Sequence, residues 1–202
     1  PQALRSLPRP AARPSGKVEL VLIGTSTGGP NALQTVIPQL PGDLHVGVLI
    51  VQHMPPTFTA QLASRLDKMS ALKVREAEEG DEIRPGEVLL APGHSHLVVR
   101  RREQVGLEEE PTDLPHRPAV DVMISSAALI YGAGALGVIL TGMGQDGKEG
   151  MAELKARGGT IIAQDEKTSV VYGMPRVVVE AGLADQVCPL GEIAPAILAQ
   201  LH

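Results

Sequence analysis

Val18–Ile23 is a short β-branched and aliphatic run that breaks directly into Gly24-Thr25-Ser26-Thr27-Gly28-Gly29, with Pro30 immediately after. A run of that length and composition predicts a buried strand. The glycines force a tight turn, and the proline fits the first turn of a helix. The same order recurs downstream, where Gly137–Thr141 leads into Gly142-Met143-Gly144-Gln145-Asp146-Gly147 and a helical stretch over Lys148–Arg157. Strands that feed helices and return in one direction build a parallel sheet with right-handed crossovers. The predicted fold is therefore α/β: a doubly wound, mainly parallel sheet with helices on both faces.

The remaining segments extend that plan. Asn31–Gln39 reads as a short helix closed by Pro38 and Pro41-Gly42, and Val46–Val51 as a second buried strand ending in Gln52-His53-Met54-Pro55-Pro56. Thr57–Met69 is helical, with Phe58, Leu62, Leu66 and Met69 on one face. From Lys73 to Glu108 the pattern shortens into Val74–Ala77, Glu87–Ala91, Leu97–Arg101 and Val105–Leu107, separated by Gly and Pro-Gly breaks. These predict antiparallel hairpins at one edge of the sheet. A polar loop runs to Pro118 and a helix covers Ala119–Tyr131. Thr160–Gln164 is a strand, Val170–Gly182 a turn and helix, and Ile193–Leu201 a closing helix.

Composition narrows the function classes. Phe58, Tyr131 and Tyr172 are the only aromatic residues, so no stacking platform for single-stranded nucleic acid is available. The net charge is −5, and the one basic run, Arg100-Arg101-Arg102, is followed by Glu103 and Glu108-Glu109-Glu110, which reads as a solvated hairpin tip. Cys188 is the single cysteine, which excludes an internal disulfide and fits a reducing, cytoplasmic compartment. No apolar run reaches membrane-spanning length and no signal peptide is legible. Pro1–Ser15 carries four prolines and three arginines without periodicity, and reads as a linker preceding one domain over residues 16–202. Such a start fits a chain cut from a longer protein or a natural tail.

In an open parallel sheet, ligands bind at the carboxyl ends of the strands. Ser26, His53 and Asp146 each follow a different buried strand at that edge. A hydroxyl too weakly acidic to attack alone, an imidazole to take its proton and a carboxylate to hold the imidazole tautomer make a nucleophilic triad. Taken singly they have plainer explanations: a helix cap, a loop histidine and a turn aspartate. Their joint placement favours the triad. Gly24–Gly28 also matches G-x-S-x-G, but the order of partners differs from that of α/β-hydrolases. A phosphate-binding turn lacks the P-loop ending and the G-x-G-x-x-G spacing. His94 and His96 resemble a metal pair without a third ligand, which favours a structural role.

Several separate stretches resemble the catalytic domain of the chemotaxis protein-glutamate methylesterases (CheB-type): Ile23–Gly29, Val51–Pro56, Ala91-Pro92-Gly93-His94, His116-Arg117-Pro118 with Val120-Asp121, Gly137–Gly147, and Val171–Pro175. The resemblance covers Val18 to about Leu201. It implies that Ser26, His53 and Asp146 are nucleophile, base and acid, that Thr27 lines the site, and that the Met143 backbone N–H helps form an oxyanion hole. It implies hydrolysis of γ-glutamyl methyl esters and deamidation of glutamines on chemotaxis receptors, with no metal or organic cofactor. The alternative is a catalytically silent module of the same fold that docks on receptors or a signalling partner.

Thr25 stands where that family usually has alanine, and Ala119 where serine is common. Full-length members generally carry an N-terminal phosphorylatable receiver domain; its absence here makes residues 1–15 look like the end of an interdomain linker and implies an unregulated fragment.

Overall fold

The computed structural model describes residues 17–201; the expected linker over residues 1–15 lies outside them. In chain order, β1 (Leu20–Thr25), α1 (Gly29–Val36), β2 (Gly47–Gln52) and α2 (Pro56–Met69) come first. β3 (Lys73–Glu76), β4 (Glu87–Leu90), β5 (His96–Arg101), β6 (Gln104–Glu108) and α3 (Val120–Tyr131) follow. The chain closes with β7 (Ala135–Ile139), α4 (Lys148–Ala156), β8 (Thr160–Gln164), α5 (Met174–Glu180), β9 (Gln186–Cys188) and α6 (Ile193–Leu201).

Seven strands form one sheet in the order β3-β4-β2-β1-β7-β8-β9, and every pairing in it is parallel. All residues of β1, β2 and β7 are buried, as expected for strands covered on both faces. Alternation along β1 splits the core in two. Val21 and Ile23 point to the layer of α1, α2 and α6, where they pack with Leu33, Leu66 and Ile197. Leu20 and Leu22 point to the layer of α3, α4 and α5, with Ile124, Leu154 and Val178. No helix among the described residues is long and apolar enough to cross a membrane.

The parallel doubly wound sheet is as expected, and so is an antiparallel component, but the latter is smaller. Val74–Ala77 and Glu87–Ala91 do not form hairpins: β3 and β4 pair parallel to each other, and β4 pairs parallel to β2. Among the described residues, β5 and β6 are the strands that pair antiparallel, as a separate two-stranded sheet. Short strands broken by Pro-Gly read alike whether they turn back or cross over, because the turn signal fixes a reversal and not the partner. The Arg-rich stretch is the tip of this hairpin, with Arg100 paired to Glu79 and Arg102 to Glu19.

β9 carries no sequence signal, since a three-residue edge strand shows no periodicity. β1 begins two residues later than predicted and runs through Thr25, where its register with β2 pairs Thr25 with Gln52. The chain passes from β1 to β2 on one side and later reaches β7 on the other. The carboxyl ends of these three strands thus meet where the strand order reverses, the position at which such sheets form a crevice.

Candidate active site

Ser26 directly follows β1 and is held by its backbone. Its N–H donates to Thr141 O (3.0 Å), while its carbonyl accepts from Gly29 N–H (2.8 Å) and from the Gln52 amide Nε2 (2.9 Å). Gly28 then takes the left-handed conformation, φ +83°, immediately before α1; Gly147 does the same, φ +100°, before α4. A side chain at either position would be strained, so both turns require glycine. The repeated turn chemistry thus ends two neighbouring strands in the same way. Thr25, the departure from the family pattern, is fully buried, and its hydroxyl donates to Thr141 O (2.8 Å), an added tie beneath the serine.

His53 lies one residue beyond β2, and its N–H donates to Thr25 O (3.2 Å). Its ring Nε2 sits 2.6 Å from Asp146 Oδ2, with side chains only 7% and 9% exposed. An ionised carboxylate can only accept, so Nε2 carries the proton and Nδ1 is left as the basic lone pair. Nδ1 is buried and has no hydrogen-bond partner. The structure therefore joins His53 to Asp146 directly. Ser26 is brought beside them through the backbone, and its hydroxyl is not bonded to the ring.

Asp146 lies just ahead of α4, and its carboxylate reaches across to the first turn of α3. Its Oδ2 also accepts from Val120 N–H (2.6 Å) and its Oδ1 from Asp121 N–H (2.9 Å), the otherwise unpaired donors of the first helical turn. Burial works to raise the Asp146 carboxyl. The bonds from His53, Asp121 and Val120 outweigh it and hold the group below the usual carboxylate range. Asp121 accepts from Gly150 N–H (2.7 Å) in the first turn of α4. Burial pushes its carboxyl up to about 6, and the charge of Asp146 adds to that against the Gly150 bond.

Three neighbours were not singled out as site residues from the sequence. Gln52 is buried and donates through Nε2 to both Ser26 O and His53 O (3.0 Å), bridging the two turns. A polar residue ending an otherwise apolar strand is the signal that marks it. His116 stacks on His53, with ring centroids 4.1 Å apart and planes 18° apart. Asp121 and His116 both fall inside the family-like stretches, yet nothing in their spacing announces these contacts. A cavity of about 330 Å³ opens beside the two imidazoles, lined also by Met54, Pro55, Gly93 and Arg117.

Thr27 is exposed, and its carbonyl accepts from the Thr141 hydroxyl (2.9 Å). Met143 is 66% exposed and follows Gly142, where a side chain would run into Ser26. The 142–144 loop thus packs against the serine turn. His94 and His96 stand in different surroundings: His94 is exposed, whereas His96 is fully buried. His96 Nδ1 accepts from Ala119 N–H (3.1 Å), which leaves Nε2 to donate to Pro111 O (3.0 Å). Its role is to tie down a loop. Among the described residues, no group of three or more His, Cys, Asp and Glu is placed to hold a metal ion.

Comparison with known proteins points to one family. The model of one protein family, CheB methylesterase, matches residues 21–197. A protein-glutamate methylesterase/protein-glutamine glutaminase of Symbiobacterium thermophilum is 56% identical over 88% of this chain and 49% of its own length. One of the same name from Moorella thermoacetica is 55% identical over 94% of this chain and 45% of its own length. The chain thus spans about half the length of the curated relatives it matches. The crystal structure of the Thermotoga maritima CheB methylesterase catalytic domain superposes with a TM-score of 0.87 at 45% identity, covering 91% of this chain and 99% of that one. With a matched profile across nearly all the described residues and a solved catalytic domain of the same architecture, this chain belongs to the CheB methylesterase family.

Proposed function

We propose that residues 16–202 form the hydrolase domain of a protein-glutamate methylesterase that removes methyl groups from γ-glutamyl methyl esters on the cytoplasmic helical bundle of chemotaxis receptors. The observation that supports this most is the buried His53–Asp146 pair, 2.6 Å across, set beside a serine turn whose backbone is pinned at both its N–H and its carbonyl. Ser26 Oγ attacks the ester carbonyl as Nδ1 of His53 takes its proton. Asp146 stabilises the resulting imidazolium through Nε2.

The Met143 N–H, with Thr27 lining the same edge, offers a donor to the tetrahedral oxyanion. The bond to the methoxy group then breaks, and methanol leaves with the proton from His53. Water, activated by the same imidazole, hydrolyses the acyl-serine and releases glutamate. An amide enters the same sequence with ammonia as leaving group, which gives deamidation of glutamine. The reaction is placed in the cytoplasm, where the receptor bundle lies, and it is independent of metal and organic cofactor.

The test is methanol release from a methylated receptor fragment. It is expected to vanish in Ser26→Ala and His53→Ala proteins that retain the parent thermal unfolding transition. Undiminished release by either variant overturns the reading and leaves a docking module without catalytic activity.

A further inference from the structure

A single hydrogen bond fixes one atom of an imidazole; it does not fix the plane of the ring. His53 is bonded through Nε2 to Asp146 and has no partner at Nδ1, so its hydrogen bonds alone leave the ring free to tilt about that one anchor. What lies along its face is the ring of His116, 4.1 Å away and nearly parallel. Residues 111–115 and Arg117 are exposed, and within this run His116 alone turns inward to become half-buried. The two rings stack face to face, so their in-plane N–H directions point past each other and the contact is one of surfaces.

The loop carrying His116 is itself anchored. The buried His96 ring holds Pro111 O through Nε2 and Ala119 N–H through Nδ1, on either side of it in sequence. Arg117 donates to Glu109 O (3.0 Å), closing the loop on its own stem. A ring mounted on a strapped loop can hold another ring in place; one on a free loop could not. Burial, and next the neighbouring His53, hold His116 below the ordinary imidazole range. That shift favours the neutral ring of His116, so the contact with His53 is one of ring faces.

We propose that His116 is a positioning residue: its ring clamps the plane of His53 so that Nε2 stays on Asp146 and Nδ1 stays unpartnered, free to act as the base. This inference rests on the esterase reading for its kinetic consequence, but the clamp itself is observable without substrate. A near-attack geometry lost by rotation of the base lowers turnover with little effect on binding.

The test compares His116→Ala, which removes the ring, with His116→Phe, which keeps a flat face and no titratable nitrogen. Two quantities are read: kcat and KM on a γ-glutamyl methyl ester peptide, and the rate at which the His53 Nε2 proton, followed by nitrogen-15 NMR, exchanges with water. In His116→Ala, kcat is expected to fall ~10-fold or more at nearly constant KM, and proton exchange to quicken severalfold. In His116→Phe, both should stay within about threefold of the parent, since the stacked surface is kept.

The proposal requires both changes in the alanine variant and both rescues in the phenylalanine variant. A fall in kcat with unchanged proton exchange would make His116 a substrate contact and overturn it. A phenylalanine variant as impaired as alanine would also overturn it, since the nitrogen would then matter and not the face. If Ser26→Ala retains activity, the esterase reading fails separately, and the exchange comparison still decides on the clamp.

Discussion

Asp146 and Asp121 cap each other's helices. Asp146, just ahead of α4, accepts from the Val120 and Asp121 N–H groups that open α3, and Asp121 accepts from Gly150 in the first turn of α4. Two helix N-termini thus converge on a pair of carboxylates, and each favours negative charge nearby. The charge of Asp146 works against ionisation of Asp121. The outcome is asymmetric: Asp146, with the additional bond from His53, is held low, and Asp121 is pushed up to about 6.

Asp121→Asn is expected to stabilise the protein at neutral pH. In the unfolded chain an aspartate ionises near ~3.9, and in the folded chain Asp121 ionises at about 6. The folded state therefore binds more protons between those values. The group's contribution is fully present below ~3.9 and is lost as pH rises through about 6. Asparagine keeps the Oδ1 acceptor for Gly150 and has no charge to repel Asp146. Urea unfolding should show a gain on the order of 1 kcal/mol at pH 7.5 and none near pH 4. A variant equal to or weaker than the parent at pH 7.5 contradicts this.

Asp146→Asn should separate fold from chemistry. On the proposed mechanism the amide no longer stabilises the imidazolium or fixes its tautomer, and kcat for methyl ester hydrolysis is expected to fall by roughly a thousandfold or more. The α3 N–H groups also lose a charged acceptor, so stability should drop by about 1 kcal/mol at pH 7. This second loss should fade in acid, because a carboxyl held low contributes above the unfolded value and loses its contribution as pH falls through the folded one. Turnover within tenfold of the parent would remove Asp146 from the mechanism.

Gln52→Leu keeps the side-chain bulk and deletes the bridge between Ser26 O and His53 O. Two carbonyls at a buried position lose a donor, which costs about 1–3 kcal/mol in unfolding free energy. Activity should fall more steeply than stability at 25 °C, because the two turns that carry the proposed nucleophile and base would move apart. Circular-dichroism melts and ester turnover on the same preparation would show it. Loss of stability with full turnover would contradict a positioning role for the bridge.

His96→Phe fills the buried space and leaves Ala119 N–H and Pro111 O without their partner. Hydrogen exchange at the Ala119 amide is expected to accelerate, with a stability loss of about 1–3 kcal/mol. Unaltered protection of that amide would show that the loop is held by something other than the imidazole.

The repeated strand–glycine turn–helix order is legible in sequence because its information is local. The aliphatic runs of β1 and β7, and glycines at the two positive-φ positions Gly28 and Gly147, are decided over a few adjacent residues. From those follow a parallel sheet and three side chains on one edge of it. The pairing of β3 and β4 is not legible, since a short apolar strand does not name its neighbour. For β9 there was no pattern to read.

Ser26, His53 and Asp146 could be nominated from chain position alone, because topology sends the end of each buried strand to the same rim. Which nitrogen of His53 meets Asp146, that His116 covers the ring, and that Asp121 gives up its charge before Asp146 were decided only by tertiary structure. His53 and Asp146 stand 93 positions apart in the chain. The orientation of one ring against another over such a separation is set by packing of the loops that carry them, and no residue type or spacing records it.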